Sequence, residues 1–205
     1  MTTEQPVPER YRLVTDDLGL LRALAHPARL AILTRLQAEG PATATECAEV
    51  AGLSPSACSY HLRTLAKHGM VEDAPARGDG RERVWRALQR GWVLRDPDEG
   101  ELTPDLLAAQ SAVIETVLAD AQARLSDYLG QSARESSEWR TAATLTHTVL
   151  LADADELREI AARISEILDP YRVVSRDPDE APTGARLAEA HLRLFPRPPR
   201  AGRRK

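Results

Sequence analysis

Aromatic residues are scarce in this sequence: three Trp, four Tyr and one Phe make up 4% of the 205 residues. Aliphatic side chains must therefore fill the core, and abundant Ala and Leu favour helices over strands. Two cysteines are too few for a disulfide framework. No apolar run approaches the roughly 18 residues of a membrane span, and the N-terminal MTTEQPVPER lacks the basic start and apolar core of a signal peptide. These absences predict a mainly helical, cytoplasmic protein without membrane contact.

Positive charge is in slight deficit, with 27 basic against 31 acidic residues. Its distribution is uneven: residues 1–88 hold 11 basic and 11 acidic side chains, whereas residues 91–195 hold 10 basic and 20 acidic ones. The last ten residues hold five basic side chains and no acidic one. A general nucleic-acid coat is therefore excluded, and a DNA-binding surface would have to be local.

The spacing of apolar residues predicts a series of helices in the first half of the chain. Asp16 or Asp17 suits the N-cap of the first helix. Pro27 suits the first turn of the second, where its missing N–H costs nothing. The third, short helix is ATATECAEVAG, with capping-box spacing between its first Thr and its first Glu.

Ser54 and Pro55 begin a fourth helix, in which apolar residues recur at helical spacing at Ala57, Cys58, Leu62 and Leu65. Two short helices joined by a tight turn are the sequence form of a helix-turn-helix. After this helix, MVEDA and RERVWRAL indicate two strands joined by the turn PARGDG. A helix-turn-helix followed by a β-hairpin is a winged helix.

The second half of the chain predicts one long helix and a small strand-helix-strand unit. The long helix runs from Thr103-Pro104 to about Gly130, and its apolar stripe needs a partner because it continues over about seven turns. The stripe consists of Leu107, Ile114, Leu118, Ala121, Leu125 and Leu129. TAATLTHTVLLA and ARLAEAHLRLF indicate strands on either side of a helix at 153–171, buried through Leu157, Ile160, Ile164 and Leu168.

The predicted fold class is therefore mainly α with small β: an N-terminal winged helix-turn-helix, a long dimerisation helix and a C-terminal strand-helix-strand unit. The expected organisation follows the changes in pattern and composition along the chain. It comprises a flexible start (1–15), the winged helix-turn-helix domain (16–90), a polar connector (91–103), a dimerisation and possible effector-binding region (104–195) and a basic disordered tail (196–205).

Residues 18–88 resemble the ArsR/SmtB-like winged-helix transcription regulators. The segments that carry this resemblance are LRALAHPARLAILTRL, CAEVAGLSPSACSYHLRTLAKHGMV and the hairpin end RVWRAL. The rest of the chain is similar, less specifically, to the C-terminal extensions of larger members. The resemblance implies a homodimeric repressor or activator that binds a palindromic operator, with a repressor favoured.

Side chains suited to reading DNA lie on the fourth helix and in the hairpin. In a helix-turn-helix the second helix enters the major groove, where its polar side chains contact base edges. Between residues 53 and 90 there are seven basic and four acidic side chains, a modest local excess that suits site-specific binding. The predicted DNA-binding residues are Ser54, Ser56, Ala57, Ser59, Tyr60, Arg63, Arg77, Arg81 and Arg83.

The cysteines do not form the metal site of metal-sensing relatives. Aligning TATECAEVAG with the Cys-x-Cys-Asp-Leu pattern of those relatives puts Thr43 and Thr45 where the thiolates would be. Cys47 and Cys58 fall at core positions, where a lone Cys behaves as a small hydrophobe. We therefore predict neither a metal nor a cofactor, with a redox pair as the alternative role for the cysteines.

Residues 104–195 exceed what dimerisation requires and could enclose a small-molecule effector. His147 and His191 lie in the middle of the two predicted strands and could share a cavity with Thr146, Thr148 or Glu189. Catalysis is not predicted, because the sequence lacks Gly-x-Gly-x-x-Gly and a plausible set of nucleophile and base. The alternative to an operator-binding regulator is a winged helix that serves as a protein-interaction module.

Overall fold

The computed structural model of the chain describes residues 17–76, 82–88, 103–173, 176 and 180–198. The chain divides into two compact units, Met1–Thr144 and Leu145–Lys205. The first contains the winged helix together with the long helix. The second contains one helix and the extended segments around it.

Helices α1 (Leu18–Leu24) and α2 (Pro27–Glu39) begin the first unit. The Asp17 carboxylate caps α1 by accepting hydrogen bonds from the amides of Gly19 at 2.7 Å and Leu20 at 3.2 Å. Pro27 occupies the first position of α2, as predicted. The helix ends at Gly40, whose φ of 82° a side chain would strain.

Helices α3 (Ala44–Ala51) and α4 (Pro55–Lys67) form the helix-turn-helix. The predicted capping box is present: the Thr43 hydroxyl accepts from the Glu46 amide, and the Glu46 carboxylate accepts from the Thr43 amide. Gly52 ends α3 in the left-handed conformation, and the Ser54 hydroxyl caps α4. Gly52 and Ser54 therefore define the two ends of the turn between α3 and α4.

A three-stranded antiparallel sheet, in the order β1-β3-β2, forms the base of the wing. The hairpin of β2 (Val71–Ala74) and β3 (Val84–Ala87) confirms the two predicted strands. The prediction was wrong at the start of the third helix, because Ala42–Thr43 is a short strand, β1, that pairs with Val84 and Trp85. Pairing with the wing satisfies the backbone there better than another helical turn before the cap.

The core of the first unit is aliphatic. Its fully buried side chains come from α1 to α4, from the start of the hairpin and from the long helix, and they include both cysteines: Leu21, Leu24, Ile32, Leu33, Cys47, Cys58, Leu62, Leu65, Met70, Val71 and Val113. Burying an aliphatic side chain of this size stabilises the fold by about 1.5–3 kcal/mol. Trp85 is the one aromatic residue in the described core cluster, which otherwise consists mainly of aliphatic side chains.

Helix α5 (Pro104–Gln131) packs on α1 and α2 within the same unit. Its buried side chains lie on one face and are Leu106, Ala109, Gln110, Val113 and Ala121. The Thr116 hydroxyl donates to the carbonyl of Ala25 at 3.1 Å and ties the helix to the α1–α2 junction. A 3-10 turn at Ser132–Arg134 and a short helix, α6 (Ser137–Ala142), follow α5.

The second unit is built around α7 (Ala154–Leu168), which has its own capping box between Asp153 and Glu156. The predicted helix is confirmed, but none of its residues is buried; the predicted core positions are half-buried. The two flanking strands were predicted wrongly: α6 covers the start of TAATLTHTVLLA, and neither its remainder nor ARLAEAHLRLF is assigned as strand. Both stretches alternate like strands, but a strand needs a hydrogen-bonded neighbour, and their side chains lie almost entirely at the surface.

The described helices include none that is long and apolar enough to cross a membrane.

Candidate nucleic-acid interface

Helix α4 separates a buried side from a polar, outward side. Cys58, Leu62 and Leu65 are completely buried against the rest of the helix-turn-helix. On the outward side Tyr60 is 60% exposed and Arg63 is also exposed. This division follows from the helical repeat, because residues three or four positions apart share a face.

The outward face continues to the end of α4 through Lys67, an exposed residue that the sequence interpretation did not select. Lys67 lies four residues after Arg63 and therefore extends the same row of side chains. The spacing alone could have revealed it. The face thus carries two positive charges at its C-terminal half.

The N-terminal turn of α4 is lined by two exposed serines. The Ser54 hydroxyl accepts a hydrogen bond from the Ala57 amide at 3.3 Å and lies 3.1 Å from the Ser56 hydroxyl. No acidic side chain lies in this first turn, so the helix dipole leaves it electropositive. Ala57 and Ser59 are half-buried, and they offer less surface to a ligand than Ser54 and Ser56.

The described part of the wing holds its arginines in ion pairs. Both oxygens of the Asp73 carboxylate accept from the Arg83 guanidinium, with Nη2 to Oδ2 at 2.8 Å, and this pair lowers the pKa of Asp73. The guanidinium of Arg83 also lies 4.0 Å from the ring centroid of Trp85. Arg86 is paired with Glu72 at 2.7 Å. The predicted contacts Arg77 and Arg81 lie outside the described residues.

The two cysteines are buried next to each other between α3 and α4. A hydrogen bond with Cys58, together with burial, raises the pKa of the Cys47 thiol. Cys47 therefore forms the metal-binding thiolate less readily than a free cysteine does. Within the described ranges no group of three or more His, Cys, Asp or Glu side chains is placed to hold a metal ion. The cysteines therefore occupy core positions, as their place in the apolar pattern predicts.

The predicted stripe on α5 lies mostly at the surface. Leu107, Ile114, Leu118 and Leu129 are between 38% and 50% exposed. Leu125 is half-buried, whereas Ala121 belongs to the buried face. Four large aliphatic side chains along one helix form an apolar surface of the kind that marks an interaction site.

The two candidate effector residues lie in the second unit and are both exposed. The His191 Nε2 atom lies 3.1 Å from a carboxylate oxygen of Glu189, as the alternation of that segment suggested. An open surface depression of about 270 Å³ in this unit is lined by Leu150, Leu151, Ala152, Glu156, Glu159, Ile160 and Arg163. Neither His147 nor His191 lines it, so their role as effector ligands stays a prediction.

Residues 24–74 match a family model described as a helix-turn-helix domain. Over 51 residues the chain is 49% identical to the HTH-type transcriptional regulator NmtR of Mycobacterium tuberculosis, covering 25% of this chain and 42% of that protein. Over 54 residues it is 40% identical to the HTH-type transcriptional regulator YgaV of Escherichia coli, covering 26% and 54%. The chain thus spans about half the length of the curated relatives that it matches.

Among solved structures, the chain is similar to that of a possible transcriptional regulator for arsenical resistance. The sequence identity is 28%, and the alignment covers 53% of this chain and 94% of that one, with a TM-score of 0.30. The family match and the curated relatives confirm the resemblance of the front part of the chain to ArsR/SmtB-like winged helix-turn-helix regulators. The family match covers the elements α2 to β2, which include the outward face of α4.

Proposed function

We propose that this protein is a sequence-specific DNA-binding transcriptional regulator, without enzymatic activity, that acts in the cytoplasm as a homodimer on a palindromic operator. The observation that carries the proposal is the outward face of α4, where exposed polar and basic side chains stand opposite a completely buried apolar face. A helix that merely packed would not need a row of such side chains on the second helix of a helix-turn-helix.

In this proposal α4 enters the major groove, and each outward side chain has its own role. Arg63 has the geometry to bind the two acceptors of a guanine, which is the commonest specific contact of arginine with DNA. Tyr60 packs on a sugar or a thymine methyl group, while Ser56 and Ser59 bind phosphate or base edges. Lys67 is placed to neutralise a backbone phosphate.

The wing contributes a second, weaker contact. Arg83 must exchange the Asp73 carboxylate for a phosphate if it is to bind DNA, and this exchange between two anions yields little net free energy. Arg77 and Arg81 remain predicted contacts of the wing. Affinity should therefore depend more on α4 than on Arg83.

The exposed stripe of α5 is proposed to be the dimer interface. Two copies that bury this stripe would present two α4 helices, which a palindromic operator matches with half-sites about 34 Å apart. Binding over a promoter is sufficient to block transcription, so repression is the proposed mode of regulation. An effector that releases the DNA would bind in the second unit, with His147 and His191 as candidate ligands.

The proposal is tested by selecting duplexes from a random-sequence library and titrating the selected duplex by fluorescence anisotropy. Saturable binding that exceeds binding to a scrambled duplex of equal length is expected. Arg63→Ala should weaken it by about 1–3 kcal/mol, or roughly 5- to 150-fold. Arg163→Ala, which removes the same charge from exposed α7, is the matched control and should change affinity less than about twofold.

The proposal is contradicted if the library yields no sequence that binds better than scrambled DNA. It is also contradicted if Arg63→Ala and Arg163→Ala bind the selected duplex with equal affinity. Thermal unfolding of both variants confirms that they are folded. Weaker binding by a folded Arg63→Ala variant would then be due to a lost DNA contact and not to unfolding.

A second candidate function, a winged-helix protein-interaction module, is favoured by the ion pairs that neutralise Arg83 and Arg86. The dependence of binding affinity on salt concentration distinguishes the two functions. Binding to DNA through several phosphates weakens steeply between about 50 and about 200 mM salt, whereas an apolar protein contact does not. Binding of a protein partner that is insensitive to salt would support the module.

A further inference from the structure

Two imidazoles meet directly behind the outward face of α4. His26 is the residue before α2, and His61 lies on α4 next to Tyr60. Their ring centroids are 4.7 Å apart, with the planes inclined by 48°. The Nδ1 atoms of both rings are buried, and neither makes a hydrogen bond within the described part of the chain. A buried polar atom without a partner is uncommon and calls for an explanation.

The surroundings of this pair are basic. The guanidinium of Arg29 donates to the carbonyls of Ala23 at 2.5 Å and of Arg22 at 2.9 Å, so two hydrogen bonds hold it in place beside the imidazoles. On the α4 side, the Tyr60 ring lies edge-on to His61 with centroids 5.6 Å apart.

The α5 residue tied to this junction is the uncharged Thr116. Among the described residues, the titratable and charged groups that act on or contact the pair are the two imidazoles themselves, the Arg29 guanidinium and the Tyr60 phenol.

This environment disfavours the charged form of both imidazoles. Burial lowers the pKa of His61, and so do the neighbouring His26 and Arg29. Burial and Arg29 also lower the pKa of His26, with a smaller opposite effect from its own main chain. A proton is accommodated more easily when the two rings separate. Because one ring belongs to the α1–α2 junction and the other to α4, separation of the rings loosens the contact that joins α4 to this junction.

We propose that the His26–His61 ring contact is a proton-sensitive support of the recognition helix, which holds α4 in its DNA-binding position while both rings are neutral and releases it in acid. The inference rests on the proposed function and adds regulation by pH to the same site. His26 and His61 act as positioning residues, since their side chains stand behind Tyr60 rather than on the outward face.

The sign of the pH effect follows from the direction of the pKa shifts. Because the engaged state lowers both pKa values, the support is at full strength above the pKa of a free histidine, about 6.5. It is lost as the pH falls below that value. At about pH 5.5 each released imidazole is mostly protonated, and this favours the released state by at most about tenfold relative to about pH 7.5. Acid should therefore weaken operator binding, although added positive charge by itself would strengthen it.

The test compares operator affinity at about pH 7.5 and about pH 5.5 for the full-length wild type, the double variant His26→Gln/His61→Gln and the control His68→Gln. His68 is the residue after α4, and its ring lies beside Gly19 of α1. Wild type and control should each lose about three- to tenfold in affinity on acidification relative to the double variant. If the double variant does not fold, His61→Gln alone takes its place.

Parallel pH profiles for wild type and double variant would overturn the inference. Tighter binding of the wild type in acid, absent from the double variant, would overturn it as well, because the imidazolium would then be a phosphate contact. The proposed function fails separately, by the absence of specific binding at pH 7.5. In that case a pH-independent difference in thermal stability between wild type and double variant would refute the support itself.

Discussion

Replacing Ile114 by Glu on the exposed stripe of α5 should break the proposed homodimer without unfolding the chain. Ile114 is 46% exposed, so about half of a side chain whose full burial is worth about 1.5–3 kcal/mol is available to a partner. Two symmetry-related copies then lose about 2 kcal/mol. Two carboxylates brought into an apolar interface add at least about 1 kcal/mol. The total of about 3 kcal/mol raises the dissociation constant at least about 100-fold.

Sedimentation velocity over a concentration series measures this constant directly. The matched control is Ala119→Glu, which adds the same charge to the same helix at an exposed position about 140° around the axis from Ile114. The control should remain as dimeric as the wild type. Equal dissociation constants for the two variants, or a wild type that is monomeric at all concentrations, would show that the stripe is not the dimer interface.

Two further predictions concern the helix-turn-helix itself. Thr43→Ala removes the hydroxyl of the α3 capping box and should lower the free energy of unfolding, measured by urea denaturation, by about 0.5–2 kcal/mol. The control Thr45→Ala, at an exposed position in the first turn of α3, should change this free energy by less than about 0.5 kcal/mol. Equal losses in the two variants would contradict the capping role of Thr43. Replacing Cys47 and Cys58 together by Ala should lower the free energy of unfolding by about 1–3 kcal/mol but leave operator affinity unchanged, with or without a thiol reductant. If oxidant or reductant changes the operator affinity of the wild type but not that of the double variant, the cysteines are more than core residues.

Much of the first unit was predictable because short-range signals specify it. The cap residues Thr43 and Ser54 and the proline at position 27 each act within one helical turn, so the sequence around them is sufficient to place a helix end. The buried side of α4 was predictable for the same reason. The strand β1 was not, because its two residues depend on a partner more than 40 positions away.

The extended segments of the second unit could not be predicted from the local sequence pattern. The alternation around His147 and His191 is typical of strands, but strand formation depends on a neighbour that local sequence does not reveal. The helix α7 was predictable from its own capping box and period. In the candidate interface, the pairing of Arg83 with Asp73 escaped prediction, because two residues ten positions apart face each other only after the hairpin has formed.

Thr43 belongs to the wing sheet and to the helix-turn-helix at once. Its backbone pairs with Val84 of β3, while its side chain and amide form the cap of α3. A displacement of the wing is therefore transmitted to the first turn of α3 through a single residue. If DNA binds the hairpin and α4 as proposed, the two sets of contacts should be cooperative rather than additive. Insertions in the hairpin should be tolerated at its tip, whereas a one-residue shift at its base would misplace the cap of α3.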